Sequence, residues 1–397
     1  MMSRGRIRWA GFATAVAATP FALAWRFAHV YRRRAGFPRP QAPTSDPQDF
    51  GLAFSSRLVP TADGLDLPAW WIPAPGNGPA PAVVLVHGWE SARHRTLPNA
   101  RFLHALGYHV LTFDVRGHGA NPAETLPVSA GEFGADALSA VEAALVDPTV
   151  TKVALLGHSL GAVGAMLAAA AEPRVAAVIL TATPADPYRL TRQTFRLAHL
   201  LIPDFVAYPL AWLTTRVYLE PRGRTARDIS ATDALRKYAG PVLAIHGTDD
   251  QVVPHAHLGR LVGARPASGS TLTRAQPVES LTIPGGMHSW LYEFPAYRAA
   301  IGRFLATALG GPLEPDEAAR VAAAVDARRP VEAGHDFSAL EPTPIGTVGA
   351  DGSREPSGRG FLRRRGTRPT PRTSPNPRTS PTPGTTGPAD ASGAQET

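Results

Sequence analysis

Three short stretches hold the residue types that nucleophilic attack on an acyl carbon requires. The first is Gly157-His158-Ser159-Leu160-Gly161, which follows the apolar run Val153–Leu156 and opens the alanine-rich stretch 160–171. A strand that enters a helix through a tight turn leaves the turn serine exposed, with the amides at the helix start aimed at whatever it attacks. The bare Gly-x-Ser-x-Gly pattern is common, and its position between a strand and a helix is what carries information. A serine at its free pKa is a poor nucleophile, so it needs a base and a group to orient that base. Later stretches supply both. His246-Gly247-Thr248-Asp249-Asp250-Gln251-Val252-Val253-Pro254 puts carboxylates just past the run Val242–Ile245, and Gly286-Met287-His288-Ser289-Trp290 puts an imidazole just past Leu281–Ile283.

Such residues meet only if a scaffold brings them together. Apolar runs at Val83–Val86, Val110–Phe113, Val153–Leu156, Val178–Leu180, Val242–Ile245 and Leu281–Ile283 are rich in Val, Leu and Ile. That pattern fits strands buried on both faces of a parallel sheet. Helical stretches, clearest at Glu132–Leu145 and Leu160–Ala171, separate most of them. Phe54–Val59 and Leu67–Ile72 flank Thr-Ala-Asp-Gly and read as an antiparallel hairpin ahead of the parallel strands. The fold class is therefore α/β, a mostly parallel sheet wrapped by helices. The interval from Thr181 to Val242 is too long for a plain crossover and reads as a helical cap at about 184–240. The ends of three strands, carrying Ser, Asp and His in that order, then converge on the carboxyl edge of the sheet, where ligands bind in this architecture.

On these residues, the stretch from about 52 to 309 resembles the α/β-hydrolase family, in its serine-dependent esterase, lipase and peptidase-like branches with an N-terminal membrane anchor. The motifs are Val86-His87-Gly88-Trp89, Phe113-Asp114-Val115-Arg116-Gly117-His118-Gly119, the turn at Ser159, Gly247–Pro254 and Gly286-Met287-His288, in the family's order. The resemblance implies an eight-stranded type of sheet, with Ser159 as nucleophile, His288 as general base and Asp250 as orienting acid. Asp250 is preferred to its neighbour Asp249 because the family's acid sits four residues before the proline. It also implies an oxyanion hole made by the backbone N–H groups of Trp89 and Leu160. The expected reaction is hydrolysis of an ester or related acyl bond through an acyl-enzyme, without metal or cofactor. An acyltransferase, a serine peptidase and a catalytically idle scaffold are the alternatives.

Other conspicuous residues read as structural. Asp114, Arg116 and His118 are expected to hold a loop, and His87 to shape the oxyanion turn. His255 and His257 lack an acidic partner of metal-binding spacing. Phe205, Trp212 and Trp290 are candidates for a substrate pocket that takes a small-molecule or lipid acyl group.

The chain has 397 residues, 44% apolar and 18% charged, enough for a large core, and no cysteine, which excludes a thiol nucleophile and disulfides. Its net charge of +8 is concentrated at the ends: residues 1–40 carry +8, residues 346–397 carry +4, and the middle sums to −4. The body therefore has no excess of positive charge to bind nucleic acid. Residues 1–40 read as a basic segment with a membrane span. The uncharged stretch Trp9–Trp25 extends over roughly 26 Å as a helix, and continuing to Tyr31 makes it long enough to cross. The expectation is a single N-terminal anchor, with a cleaved signal peptide (and hence secretion) or a docked amphipathic helix as alternatives. Residues 50–310 form the hydrolase domain, 311–341 a short helix and linker, and 342–397 a disordered tail rich in Pro, Thr, Ser and Arg.

Overall fold

The computed structural model describes residues 4–76, 78–200, 202–265 and 276–326. The chain begins with α1 (Arg4–Ala35) and continues through β1 (Ser55–Pro60), β2 (Asp66–Ile72), β3 (Ala80–Val86), α2 (Leu97–Ala105), β4 (His109–Phe113) and α3 (Ala130–Val146). Then come β5 (Val150–His158), α4 (Leu160–Ala171) and β6 (Val175–Thr181). Three helices, α5 (Pro187–Leu197), α6 (Asp204–Leu219) and α7 (Ala231–Lys237), lie between β6 and β7 (Val242–Gly247). The remainder is α8 (Ala256–Ala264), β8 (Glu279–Ile283), α9 (Pro295–Leu309) and α10 (Pro315–Ala324).

The eight strands form one sheet in the order β1-β2-β4-β3-β5-β6-β7-β8. The first two pairings, β1 with β2 and β2 with β4, are antiparallel, and the rest are parallel. Alternate side chains of the central strands serve two cores. Val84, Val86, Leu155 and Val178 face α3, α4 and α7, while Val83, Leu85, Leu156 and Ile179 face α2, α9 and α10. Because both faces are covered, the strands read as continuous apolar runs. Helix α3 starts at a capping box, in which Ser129 Oγ accepts from the Gly131 N–H and Glu132 Oε2 accepts from the Ser129 N–H.

The expected membrane anchor is overturned. Residues 4–35 do form a helix, but no helix among the described residues is long and apolar enough to cross a membrane. In the uncharged segment between Arg8 and Arg26, seven of the 17 residues are alanine, with threonine, glycine and Pro20 among the rest, and arginines bracket it on both sides. Alanine adds too little transfer free energy to offset that bracket. The end of α1 packs against α5 and α6 instead. Phe27 and Tyr31 meet the Phe195 ring edge-on at 5.4 and 5.8 Å. Tyr31 Oη shares a 2.7 Å hydrogen bond with Thr194 Oγ1, and Arg32 donates to the Val217 carbonyl at 3.1 Å. The tail expected at 342–397 lies outside the described residues.

Candidate active site

Strand β5 runs straight into α4 through Ser159, whose φ of 53° and ψ of −121° are strained for a residue with a side chain. Two neighbours hold it there. The Ser159 N–H donates to the Thr181 carbonyl at 2.9 Å, and Thr181 Oγ1 donates to the Gly157 carbonyl at 2.9 Å, so the end of β6 fixes the turn. The start of α4 lies against the end of β3 so closely that a Cβ on Gly161 would sit 2.1 Å from the His87 carbonyl oxygen. Only glycine permits that approach.

Ser159 Oγ lies 3.0 Å from His288 Nε2, and His288 Nδ1 lies 2.8 Å from Asp250 Oδ2. A carboxylate can only accept, so the proton sits on Nδ1, and Nε2 is free to accept from the serine hydroxyl. Asp250 and His288 are buried. Burial pushes the Asp250 carboxyl upward. The His288 charge and the hydrogen bonds from His246 and His288 outweigh that and hold it well below the usual carboxylate range. Its other oxygen accepts from the Val253 N–H at 2.7 Å. Asp249 points to solvent, where Oδ1 accepts from Thr248 Oγ1, so the imidazole meets Asp250 and not Asp249.

Two histidines not singled out by sequence for this cluster support it. His246 Nε2 lies 2.7 Å from the Val253 carbonyl and 3.2 Å from Asp250 Oδ2, bracing the loop that carries the carboxylate. His158 Nε2–H donates to the His288 carbonyl at 2.8 Å, tying the serine turn to the histidine loop. Burial, reinforced by the nearby His288 charge, lowers His158 to about 3 and keeps it neutral. The signal for His246 was its place at a strand end, four residues before Asp250.

His87 spends both ring nitrogens on the backbone. Nδ1–H donates to the Gly88 carbonyl at 2.8 Å and Nε2 accepts from the Val115 N–H at 3.0 Å. Burial keeps this ring neutral too. The turn it shapes carries Gly88 beside the serine; a Cβ there would sit 3.4 Å from the Ser159 Cβ. Trp89 and Leu160 border the same space as Ser159. Leu160 is the first residue of α4, so its N–H has no acceptor within the helix. The Asp114–His118 segment is built for structure. Asp114 accepts from the Arg93 and Ala120 amides, and Arg116 bridges Asp136 and Asp63.

A cavity of about 810 Å³ opens over Ser159 and His288. Trp290 lines it. Phe205 and Trp212 do not: they sit on the outward face of α6, 80% and 48% exposed, because that helix turns its Thr214, Thr215 and Val217 positions inward. Missing from the sequence reading is the contribution of α1, whose Phe27, Val30, Tyr31 and Arg34 line the cavity at spacing i, i+3, i+4, i+7. That one-face periodicity was visible, but the same stretch also read as a membrane span.

A family model described as serine aminopeptidase, S33, matches residues 77–219, a span that includes Ser159 and ends before Asp250 and His288. A Mycobacterium tuberculosis protein described as uncharacterized is 33% identical over 254 residues, covering 62% of this chain and 78% of the relative. The pimeloyl-(acyl-carrier protein) methyl ester esterase of Xanthomonas campestris pv. campestris is 30% identical over 264 residues, covering 58% of this chain and 96% of the relative. The solved structure of a Pyrococcus furiosus esterase shares the fold, with a TM-score of 0.55 at 21% identity over 69% of this chain and 98% of that one. With a mostly parallel eight-stranded sheet, and relatives matched over most of their own length, the chain belongs to the α/β-hydrolase family.

Proposed function

We propose that this α/β hydrolase cleaves a carboxylic ester through an acyl-enzyme formed on Ser159. The observation that carries the reading is the continuous pair of contacts, 3.0 Å from Ser159 Oγ to His288 Nε2 and 2.8 Å from His288 Nδ1 to Asp250. His288 Nε2 takes the hydroxyl proton as Oγ attacks the ester carbonyl. The N–H groups of Leu160 and Trp89 receive the oxyanion, and each such donor is worth about 10²- to 10³-fold in turnover. Collapse breaks the bond to the alcohol oxygen, which leaves with the proton from His288. Water then gives its proton to His288 and its oxygen to the acyl carbon, which releases the carboxylic acid and restores the serine. Asp250, held ionised, keeps the imidazole in the right tautomer and stabilises its charged form. The helices between β6 and β7 form the cap over this site.

The Xanthomonas relative is named for a methyl ester, which supports ester over amide. The description serine aminopeptidase is a specific reason to test an amide as well. Hydrolysis of matched p-nitrophenyl esters and aminoacyl p-nitroanilides separates the two. The proposal expects ester turnover that falls by about 10⁴-fold or more in Ser159→Ala. Turnover of the anilide alone refutes the ester reading; ester turnover unchanged by Ser159→Ala refutes the nucleophile.

A further inference from the structure

The cavity over Ser159 has one wall outside the sheet and its flanking helices. Phe27, Val30 and Tyr31 on one face of α1 line it beside Leu190 and Phe195 of α5, and the Phe27 and Tyr31 rings touch that of Phe195. The hydroxyls of this wall are already paired. Tyr31 bonds Thr194 at 2.7 Å, Thr191 bonds Thr215 at 2.8 Å, and Tyr218 donates to the Val128 and Ala35 carbonyls at 2.6 and 3.2 Å. A peptide or sugar lying here would have to break these bonds or leave its own polar groups unpaired. A hydrocarbon chain faces neither cost. The volume of about 810 Å³ sits high in the range of roughly 300–1,000 Å³ that encloses a drug-sized ligand, so an acetyl group would leave most of it unfilled.

We propose that the Phe27–Tyr31 part of the inner face of α1, short of Arg34, is the acyl-chain wall of this site and that the substrate is the ester of a long apolar acid. Its carbonyl lies at Ser159 and its chain runs along the cavity wall that α1 and α5 build together. The reaction rests on the ester-hydrolase reading given above; the wall does not. The N-terminal helix thus sets substrate length.

The test compares kcat/KM for p-nitrophenyl laurate and p-nitrophenyl butyrate in the full-length protein, Val30→Trp, Phe27→Ala and Leu23→Ala. Val30→Trp obstructs the chain path and lowers the laurate-to-butyrate ratio about tenfold or more. Phe27→Ala removes part of the wall and lowers the ratio in the same direction. Leu23, 61% exposed on the same helix and outside the cavity lining, leaves the ratio unchanged when replaced. A second readout, free of turnover, is binding of the fluorescent fatty acid cis-parinaric acid on a Ser159→Ala background, which weakens in Val30→Trp and Phe27→Ala. If Val30→Trp does not fold, Phe27→Ala decides. Unchanged ratios and unchanged cis-parinaric binding in the folded variants overturn the proposal. Loss of binding in the variants, with no ester turnover by any form, upholds the wall and defeats the ester reading instead.

Discussion

Replacing Gly161 by alanine tests whether the serine turn and the end of β3 are held together as tightly as the structure draws them. The added Cβ would lie 2.1 Å from the His87 carbonyl oxygen and 2.4 Å from that of Val86, both backbone atoms that cannot rotate away. Restoring even a 3.0 Å contact means parting the two segments by about 0.9 Å, and a misplacement near 1 Å costs on the order of 10²-fold in rate. The segment displaced is the one that carries Gly88 and Trp89, so turnover suffers more than substrate binding. Overpacking of this kind also costs about 1–3 kcal/mol, which lowers the thermal midpoint by several degrees. Gly259→Ala is the internal control. Gly259 lies within α8, and its added Cβ would meet nothing within 4 Å. There alanine stabilises by roughly 0.5–1 kcal/mol as the better helix former. Differential scanning calorimetry and p-nitrophenyl ester kinetics read both effects. A Gly161→Ala protein that melts and turns over like the parent would refute the packing argument.

Asp250→Asn is expected to lower kcat by about 10⁴-fold, because an amide favours the wrong imidazole tautomer, while Asp249→Asn stays within a fewfold of the parent. Equal losses in steady-state assays of the two variants would defeat the assignment. Asp136→Asn leaves Arg116 with a weakened buried partner and is expected to cost about 3–5 kcal/mol in urea unfolding. Asp63→Asn, whose side chain is 59% exposed, costs about 1 kcal/mol or less. Burial holds His118 and His257 at about 4, below the ordinary 6.5. The unfolded chain therefore binds more protons than the folded one between those values. Their contribution to stability is complete above about pH 6.5 and is lost as pH falls toward 4, so thermal midpoints must decline from about pH 7 to about pH 5. A flat profile over that window contradicts their burial as neutral rings.

The sheet was legible because its central strands are buried on both faces. Val83–Val86 and Val153–Leu156 need apolar side chains in both directions, and that leaves an unbroken run in the sequence. The serine turn was legible for a related reason, since Gly157 and Gly161 are dictated by backbone approach rather than by preference. Asp250, Ser159 and His288 could be placed at strand ends, and the structure brings them within hydrogen-bonding reach of one another. What strand-end reasoning could not give is who stands behind them. His158 reaches the His288 carbonyl on a distant segment, which sequence spacing does not specify, whereas His246 stands four residues before the Asp250 carboxylate that it meets. The N-terminal segment misled because an apolar face that packs on a protein and one that packs on lipid carry the same kinds of residue. Alanine content between Arg8 and Arg26 was the discriminating feature. For Phe205 and Trp212 the helix was foreseen but its rotation was not, since α6 carries apolar side chains on more than one face.

If His288 activates the Ser159 hydroxyl, that hydroxyl reacts with electrophiles as no other in the chain does. Mass spectrometry of the full-length protein after treatment with a fluorophosphonate measures that most directly. A single adduct is expected, mapped by peptide sequencing to Ser159, and none in a Ser159→Ala protein with an unchanged circular dichroism spectrum. An adduct on another residue, or labelling of Ser159→Ala at the parental rate, would contradict it.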